Sequence, residues 1–409
     1  MRNVIAFPVR LGHSAPVTML LTGATGFLGS RLLLALLTTR NRDVTVLGRG
    51  ALADLRSRVL RAMEAAAGER IDPASLSRLR CVSGDITQPW LGLSPAVYGR
   101  LADTTEAVWH CAGDIALAGE RERLFRVNVQ GTAGVLEFAE ATAPECRLVH
   151  MSTVAVAGAR RTGRIAEDDL SDSFGFETYY DESKYRAELL VREWTRHTKR
   201  SAVVLRPSVV ASGARLPAGA PGHPLKVLGE MIDTVARGGG PGIPAAASLC
   251  GDAAGLRVRL AVPADAGFNI VQDDHATEAM LRIGLGRDHE SARGVRTFHI
   301  THPADTAMRL IVDAVEARCP GLTLECVENL PDPTAAERFI ATRLPGFLSY
   351  CHHTRTYDRG AATALTAGLA DPPPVDRDYL TRALGFGAGP EDSTAGASEE
   401  RELRATSAI

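Results

Sequence analysis

The chain predicts an α/β fold in which a doubly wound parallel sheet is followed by a smaller, mainly helical C-terminal lobe facing the substrate. Two observations carry that expectation. Short, unbroken apolar runs alternate with longer helical patterns through the first half of the chain, as strands buried on both faces do. After Pro207 the composition shifts to Gly, Pro and Ala, and from about residue 297 the patterning is helical.

The elements follow in order. Residues 1–16 read as an irregular lead-in, and Val17 to Thr22 as a short buried strand with the helix FLGSRLLLALL behind it. Further strands are expected at VTVLG (44–48), Leu79 to Ser83, Ala107 to Cys111, Arg147 to Met151 and Ala202 to Leu205. Helices are expected at Ala51 to Ala67, Glu122 to Ala141 and Glu182 to His197. Right-handed crossovers then place the strand ends, and any cofactor, along one edge of the sheet. Residues 211–255, which frame a helical piece at Leu225 to Ala236, read as a substrate-facing insert. The nucleotide-binding domain is therefore expected over 17–296 and the C-terminal lobe over 297–387, where DTAMRLIVDAVEARC and PTAAERFIATRL look helical. Residues 388–409 are polar and small, a composition that favours disorder.

Bulk properties exclude several classes. A formal net charge of −2 provides no field for nucleic acid or an anionic membrane. The longest apolar stretch, LLLALL at 32–37, is far shorter than the roughly 20 residues of a membrane span. The N-terminus lacks a signal-peptide pattern. Seven cysteines, an odd number without a CxxC pair, suit reduced thiols and a cytoplasmic protein. Eleven histidines include no HxxxH or HExxH spacing, so no metal site is expected.

TGATGFLG at Thr22 to Gly29 follows a strand and opens a helix. Gly23, Gly26 and Gly29 let the backbone turn tightly and let a pyrophosphate approach the helix N-terminus, with Thr25, Phe27 and Leu28 supplying the rest of the turn. The end of the second strand, where an acid usually bonds the ribose 2′-hydroxyl of NAD, carries Arg49 instead. A guanidinium matches a 2′-phosphate in charge and fork geometry, so NADPH/NADP is the expected cofactor. Arg58 is either a second cation for that phosphate or an ordinary solvated helix residue.

Tyr180 and Lys184 stand four apart in YYDESKYRAELL, which puts them on one helix face. A phenol ionises near pH 10, and a neighbouring ammonium can lower that value while reaching a nicotinamide ribose. The strand LVHMSTVAVAG delivers Ser152 and Thr153 to its carboxyl end, where a hydroxyl can bond a carbonyl oxygen gaining charge. Cys111 and Cys146 lack the basic partner that would activate a thiolate and read as packing residues.

The chain resembles an extended short-chain dehydrogenase/reductase with a Rossmann-type sheet. More narrowly, it resembles the male-sterility-type branch that reduces acyl thioesters: reductase domains of peptide and polyketide synthetases, carboxylic acid reductases and fatty acyl-CoA reductases. The residues that carry this are TGATGFLGSRLL, LGR at 47–49 with Arg58, VSGDIT at 82–87 and LGLS at 91–94. With them go WHCAGDI at 109–115, NVQGT at 128–132, HMSTVAVAG, YYDESKYRAE and RPSVV at 206–210. LGLS shortly after GDI is the narrow marker.

The resemblance implies that Asp85 and Ile86 flank the adenine, and that Cys111, Ala112 and Gly113 line the ribose and pyrophosphate path. Asn128 would brace the active-site helix, Thr153, Tyr180 and Lys184 would be catalytic, and Pro207, Ser208 and Val209 would pack by the nicotinamide carboxamide. The implied substrate is an acyl thioester on coenzyme A or a carrier protein, reduced to an aldehyde or an alcohol. Arg160, Arg161 and Arg164 are either contacts for a pantetheine phosphate or a solvated loop. Two departures from the family pattern are Gly113, where a second Ala is usual, and VQDDHA at 271–276 in place of a VPVDYV-like segment. Other readings stay open: an NADP-dependent ketone or alcohol dehydrogenase, a nucleotide-sugar epimerase, or a non-catalytic NADPH-binding module.

Overall fold

The computed structural model describes residues 18–236, 256–263, 265–286, 294–343 and 345–386. Its centre is a seven-stranded sheet built from β1 (Thr18–Thr22), β2 (Val44–Gly48), β3 (Leu79–Ser83), β4 (Thr105–His110), β5 (Arg147–Met151), β6 (Ser201–Pro207) and β7 (Gly294–Ile300). The strands lie in the order β7-β6-β5-β4-β1-β2-β3, and every neighbouring pair is parallel. The expected doubly wound sheet is present.

Alternating residues of each strand feed opposite cores. Met19, Leu21, Val46 and Trp109 pack with Leu32, Leu33, Leu36 and Leu37 of helix α1 (Phe27–Thr38) on one face. Leu20, Leu47, Val108, Leu148 and Val204 meet Val135, Phe138, Val191 and Trp194 on the other. This double burial is why the strands read as unbroken apolar runs. Burying each α1 leucine is worth roughly 1.5–3 kcal/mol, so packing rather than capping holds that helix. Gly26 at its N-cap contributes no side-chain hydrogen bond.

Helix α2 (Leu52–Ala67) matches its expected bounds within one residue. The stretch expected as a single helix from Glu122 to Ala141 starts at Arg121, makes one π turn over Arg126–Gln130, and resumes as α3 (Gly131–Ala141). Helix α4 (Tyr179–Thr198) begins three residues earlier than expected, on a capping box between Thr178 and Asp181.

The second half departs further from expectation. GVRTFHI forms the edge strand β7, so the boundary expected at 296/297 falls inside a strand of the main sheet. Ile270–Gln272 pairs with Val209–Ala211 and leads into α5 (Asp273–Leu285), which packs on α1. The C-terminal region holds the expected helices Met308–Arg318 and Ala335–Arg343, together with a parallel pair, Leu256–Ala261 against Leu322–Val327. Ile311, Val312, Leu322, Val258, Leu380 and Leu384 form its own core. The lead-in, residues 237–255 of the insert, and the tail at 388–409 lie outside the described residues. Among the described residues, no helix is long and apolar enough to cross a membrane.

Candidate active site

Strand order reverses between β1 and β4, which opens a crevice at the carboxyl edge where such sheets bind ligands. The turn after β1 closes against the loop after β4. Gly23 has φ +78°, and a Cβ on it would lie 2.5 Å from the Ala112 nitrogen. A Cβ on Gly29 would lie 2.1 Å from the Gly23 carbonyl oxygen. Gly26 differs: it is exposed, with only the Gly23 oxygen near its missing Cβ. The first three N–H groups of α1 have no intrahelical acceptor, and no side chain caps them. That uncapped, glycine-fronted helix start fits a pyrophosphate. Replacing Gly29 by Ala is expected to destabilise the chain by about 1–3 kcal/mol and to abolish dinucleotide binding. Thermal unfolding and cofactor titration read the two effects, and unchanged binding would contradict the cradle.

Thr22 is buried, and its hydroxyl accepts the Ala112 N–H at 3.2 Å and meets His110 Nδ1 at 2.9 Å. Thr25 is partly buried in the same turn. Phe27 and Leu28 offer backbone only: Leu28 packs on the core, and the Phe27 ring lies 3.7 Å under the Arg31 guanidinium and 5.0 Å from the His223 ring.

At the end of β2, Arg49 and Arg58 are both exposed, and the Arg58 guanidinium donates to the Arg49 carbonyl. Beyond β3, Asp85 accepts the N–H and hydroxyl of Thr87, both at 2.9 Å, and donates its own N–H to Leu91 at 2.8 Å. Leu91 is fully buried at φ +57°, and a Cβ on Gly84 would lie 2.6 Å from its carbonyl oxygen. LGLS is thus the wall against which the GDI turn is built. Ile86 is buried over Gly131.

Past β4, burial pushes the Cys111 thiol up to about 12, which suits a packing residue. Gly113 stands where the family has Ala, and a Cβ there would approach Asn128 Oδ1 at 3.2 Å. Asn128 spends its side chain on protein. Its Oδ1 accepts Asp114 N–H at 2.7 Å, while Nδ2 donates to the Asp114 carbonyl and Ser183 Oγ, both at 2.9 Å. It sits in the π turn and ties the β4 loop to α4, a bracing position.

Tyr180 and Lys184 share a face of α4, and the Thr153 side chain just past β5 stands near the Tyr180 phenol. Thr153 Oγ1 accepts the Ala155 N–H at 3.2 Å, which leaves its proton free to be directed. Lys184 is buried and donates to the Met151 carbonyl at 2.6 Å. Burial lowers its pKa to about 8, against the opposing charges of Glu188 and Cys111. The expectation that Lys184 lowers the phenol is not met in this state. Burial and then the Asp181 carboxylate hold Tyr180 well above its ordinary value, with the Thr153 side chain opposing them. Tyr180 therefore keeps its proton at neutral pH, the form a proton donor needs.

Ser152, the other hydroxyl that the strand delivers, is held by protein. Its hydroxyl donates to Glu188 Oε1 at 2.5 Å and is buried. Glu188, one turn beyond Lys184, is also gripped by Arg206 Nε at 2.8 Å and Nη2 at 2.7 Å. Sequence reasoning missed this ion pair, although the (i, i+4) spacing that picks out Tyr180 and Lys184 continues to Glu188. At the end of β6, Pro207 is buried, Val209 opens the next short strand, and Ser208 Oγ is buried without a partner among the described residues. That orphaned hydroxyl fits a polar ligand group. Of the three arginines past Thr153, Arg160 pairs with Asp169 at 2.9 Å and Arg164 with Asp358 at 2.7 Å. Only Arg161 has no ion pair among the described residues.

A dinucleotide turn and a Tyr/Lys pair on one edge of one parallel sheet define a nicotinamide-dependent oxidoreductase of the extended short-chain dehydrogenase/reductase class. Residues 21–239 match the NAD-binding family described as male sterility protein, and the chain belongs to that family. The large subunit of L-2-aminoadipate reductase from Penicillium chrysogenum is 25% identical over 338 residues, which is 79% of this chain and 22% of that protein. A putative fatty acyl-CoA reductase of Drosophila melanogaster is 30% identical over 156 residues, 37% of this chain and 28% of that one. The chain thus spans little more than a quarter of either relative at most. Among solved structures, the terminal R domain of the myxalamid PKS-NRPS pathway superposes with TM-score 0.69 at 23% identity, covering 91% of this chain and 90% of that one. UDP-glucuronic acid 4-epimerase from Bacillus cereus, bound to UDP-glucuronic acid and NAD, superposes at 0.59 with 16% identity, covering 90% and 98%. Both share the fold.

Proposed function

We propose that this chain reduces acyl thioesters with NADPH, the acyl group arriving on coenzyme A or on a carrier protein. The observation that carries the reading is the Thr153–Tyr180 hydroxyl pair at the carboxyl end of β5, beside the crevice bounded by the glycine turn. The names of the curated relatives, reductases of aminoadipate and of fatty acyl-CoA, support the substrate class.

When bound, the nicotinamide supplies the hydride that reduces the carbonyl carbon. The two hydroxyls then hold the oxygen as it gains charge, and Tyr180 gives it a proton. Lys184, released from Met151, would hold the nicotinamide ribose and compensate the phenolate that Tyr180 leaves behind. The hemithioacetal so formed collapses to an aldehyde and a free thiol.

Purified protein with NADPH and a panel of acyl thioesters tests this, with the product identified by mass spectrometry. Turnover of a ketone with no thioester consumed would remove the proposal. Cofactor choice is read separately. Charge-assisted hydrogen bonds are worth about 1.5–3 kcal/mol, so the double change Arg49→Ala, Arg58→Ala is expected to raise KM for NADPH roughly 10–100-fold. KM for NADH should stay level. Equal effects on both would show that these arginines do not read the 2′-phosphate.

A further inference from the structure

The N-terminus of α4 is held by a distant piece of chain. Residues Tyr350 to Asp358 run as a strap across the loop that follows β5. Thr356–Tyr357 pairs in parallel with Arg164–Ile165, and the Thr354 and Asp358 N–H groups donate to Arg161 and Ile165, both at 2.8 Å. Arg355, buried, donates to the carbonyls of Gly158 and Arg160. At the upstream end, His353 Nε2 meets Glu177 Oε1 at 3.2 Å, and the Tyr350 hydroxyl donates to Asp181 Oδ1. The other Asp181 oxygen accepts the Thr178 N–H at 3.3 Å, and the residue is fully buried directly after Tyr180.

We propose that Asp181 and Tyr350 are a positioning pair, through which the strap fixes a carboxylate beside Tyr180 and so governs how readily that phenol gives up its proton. This deepens the reading of Tyr180 as proton donor and rests on it.

A helix cap needs only a hydrogen-bond acceptor, and exposed caps are common. A buried carboxylate next to the proposed donor, tied down from 169 residues away, is more than a cap requires. The groups facing it are Thr178 and Tyr180 on or beside α4, and Tyr350, Arg355 and Tyr357 on the strap. Burial raises the Asp181 carboxyl to about 6, against hydrogen bonds from Tyr350 and Thr178 and the Arg355 charge. Below that pH the carboxyl is neutral and its hold on the phenol proton is lost. Above it the carboxylate keeps the phenol protonated.

The test is a pH titration of protein labelled with ¹³Cζ-tyrosine, without substrate, the Tyr180 resonance being assigned by its loss in Tyr180→Phe. The expected result is a shift of that resonance stepping near pH 6 in the wild type, absent in Asp181→Asn and moved to higher pH in Tyr350→Phe. A flat Tyr180 resonance through that range in the wild type, or an unmoved step in Tyr350→Phe, overturns the proposal. Reading the wild-type titration needs only Tyr180→Phe, which removes a single oxygen, to fold for the assignment. Thioester turnover with a flat resonance sinks the pair alone, whereas a step without thioester turnover sinks the thioester reading alone.

Discussion

Tyr180→Phe is expected to lower kcat for thioester reduction by about 10²–10⁴-fold, the usual worth of a positioned proton donor, with NADPH affinity nearly unchanged. The phenol holds its proton because burial and Asp181 disfavour its anion. Its hydroxyl stands near Thr153, which leads out of β5, while the glycine turn that would seat the dinucleotide belongs to β1. Removing one oxygen should therefore leave the cradle intact and remove only the proton. Because the missing group acts on the oxyanion, kcat and kcat/KM should fall together. Fluorescence titration with NADPH measures binding, and single-turnover kinetics measure the reduction. Full activity in the variant would mean that water or another side chain protonates the oxygen. A Thr153→Val change would then show whether the threonine hydroxyl had that role.

The five interior strands were legible because burial on both faces requires unbroken apolar runs, and the edge strand β3, of which only Leu79 is buried, was read as well. The seventh, GVRTFHI, lies at the sheet edge and mixes Arg296 and His299 with apolar residues, so its pattern does not separate it from a loop. The glycine turn was legible because backbone–backbone approach admits no substitute at Gly23 and Gly29. The choice between Ser152 and Thr153 was not. Adjacent residues in an extended chain point opposite ways, and packing alone decides that Ser152 turns to Glu188 and Thr153 to Tyr180. The Tyr350 contact to Asp181 has no local pattern at all, since its partners are brought together only by the completed fold.

Glu188→Gln is expected to be the most destabilising single change near the site, by about 3–5 kcal/mol, because it leaves a buried guanidinium uncompensated. Arg206 and Glu188 are both fully buried and joined by two hydrogen bonds, and the Arg206 Nη1 that remains is already committed to the carbonyls of Glu167 and Asp169. Burial alone would raise the Glu188 carboxyl, yet the charge and hydrogen bonds of Arg206, with the hydroxyl of Ser152, outweigh it and hold the carboxyl below its ordinary 4.5. A carboxyl depressed in the folded state contributes stability that is full above its unfolded value and is lost as pH falls through the folded one. Wild-type stability should therefore decline on acidification below about pH 4.5, and the variant should lack that component of the decline. Denaturant unfolding across pH reads both. A double change, Glu188→Leu with Arg206→Met, should be milder than the single one, since replacing a whole buried pair avoids the orphaned charge. The same carboxylate supports the charge of Lys184 from one turn away, opposing the burial that brings it to about 8. Without Glu188 the ammonium should ionise at lower pH still, moving the alkaline limb of the kcat profile toward neutrality. If that limb stays in place while stability falls, the ion pair is a structural clamp with no part in keeping Lys184 charged.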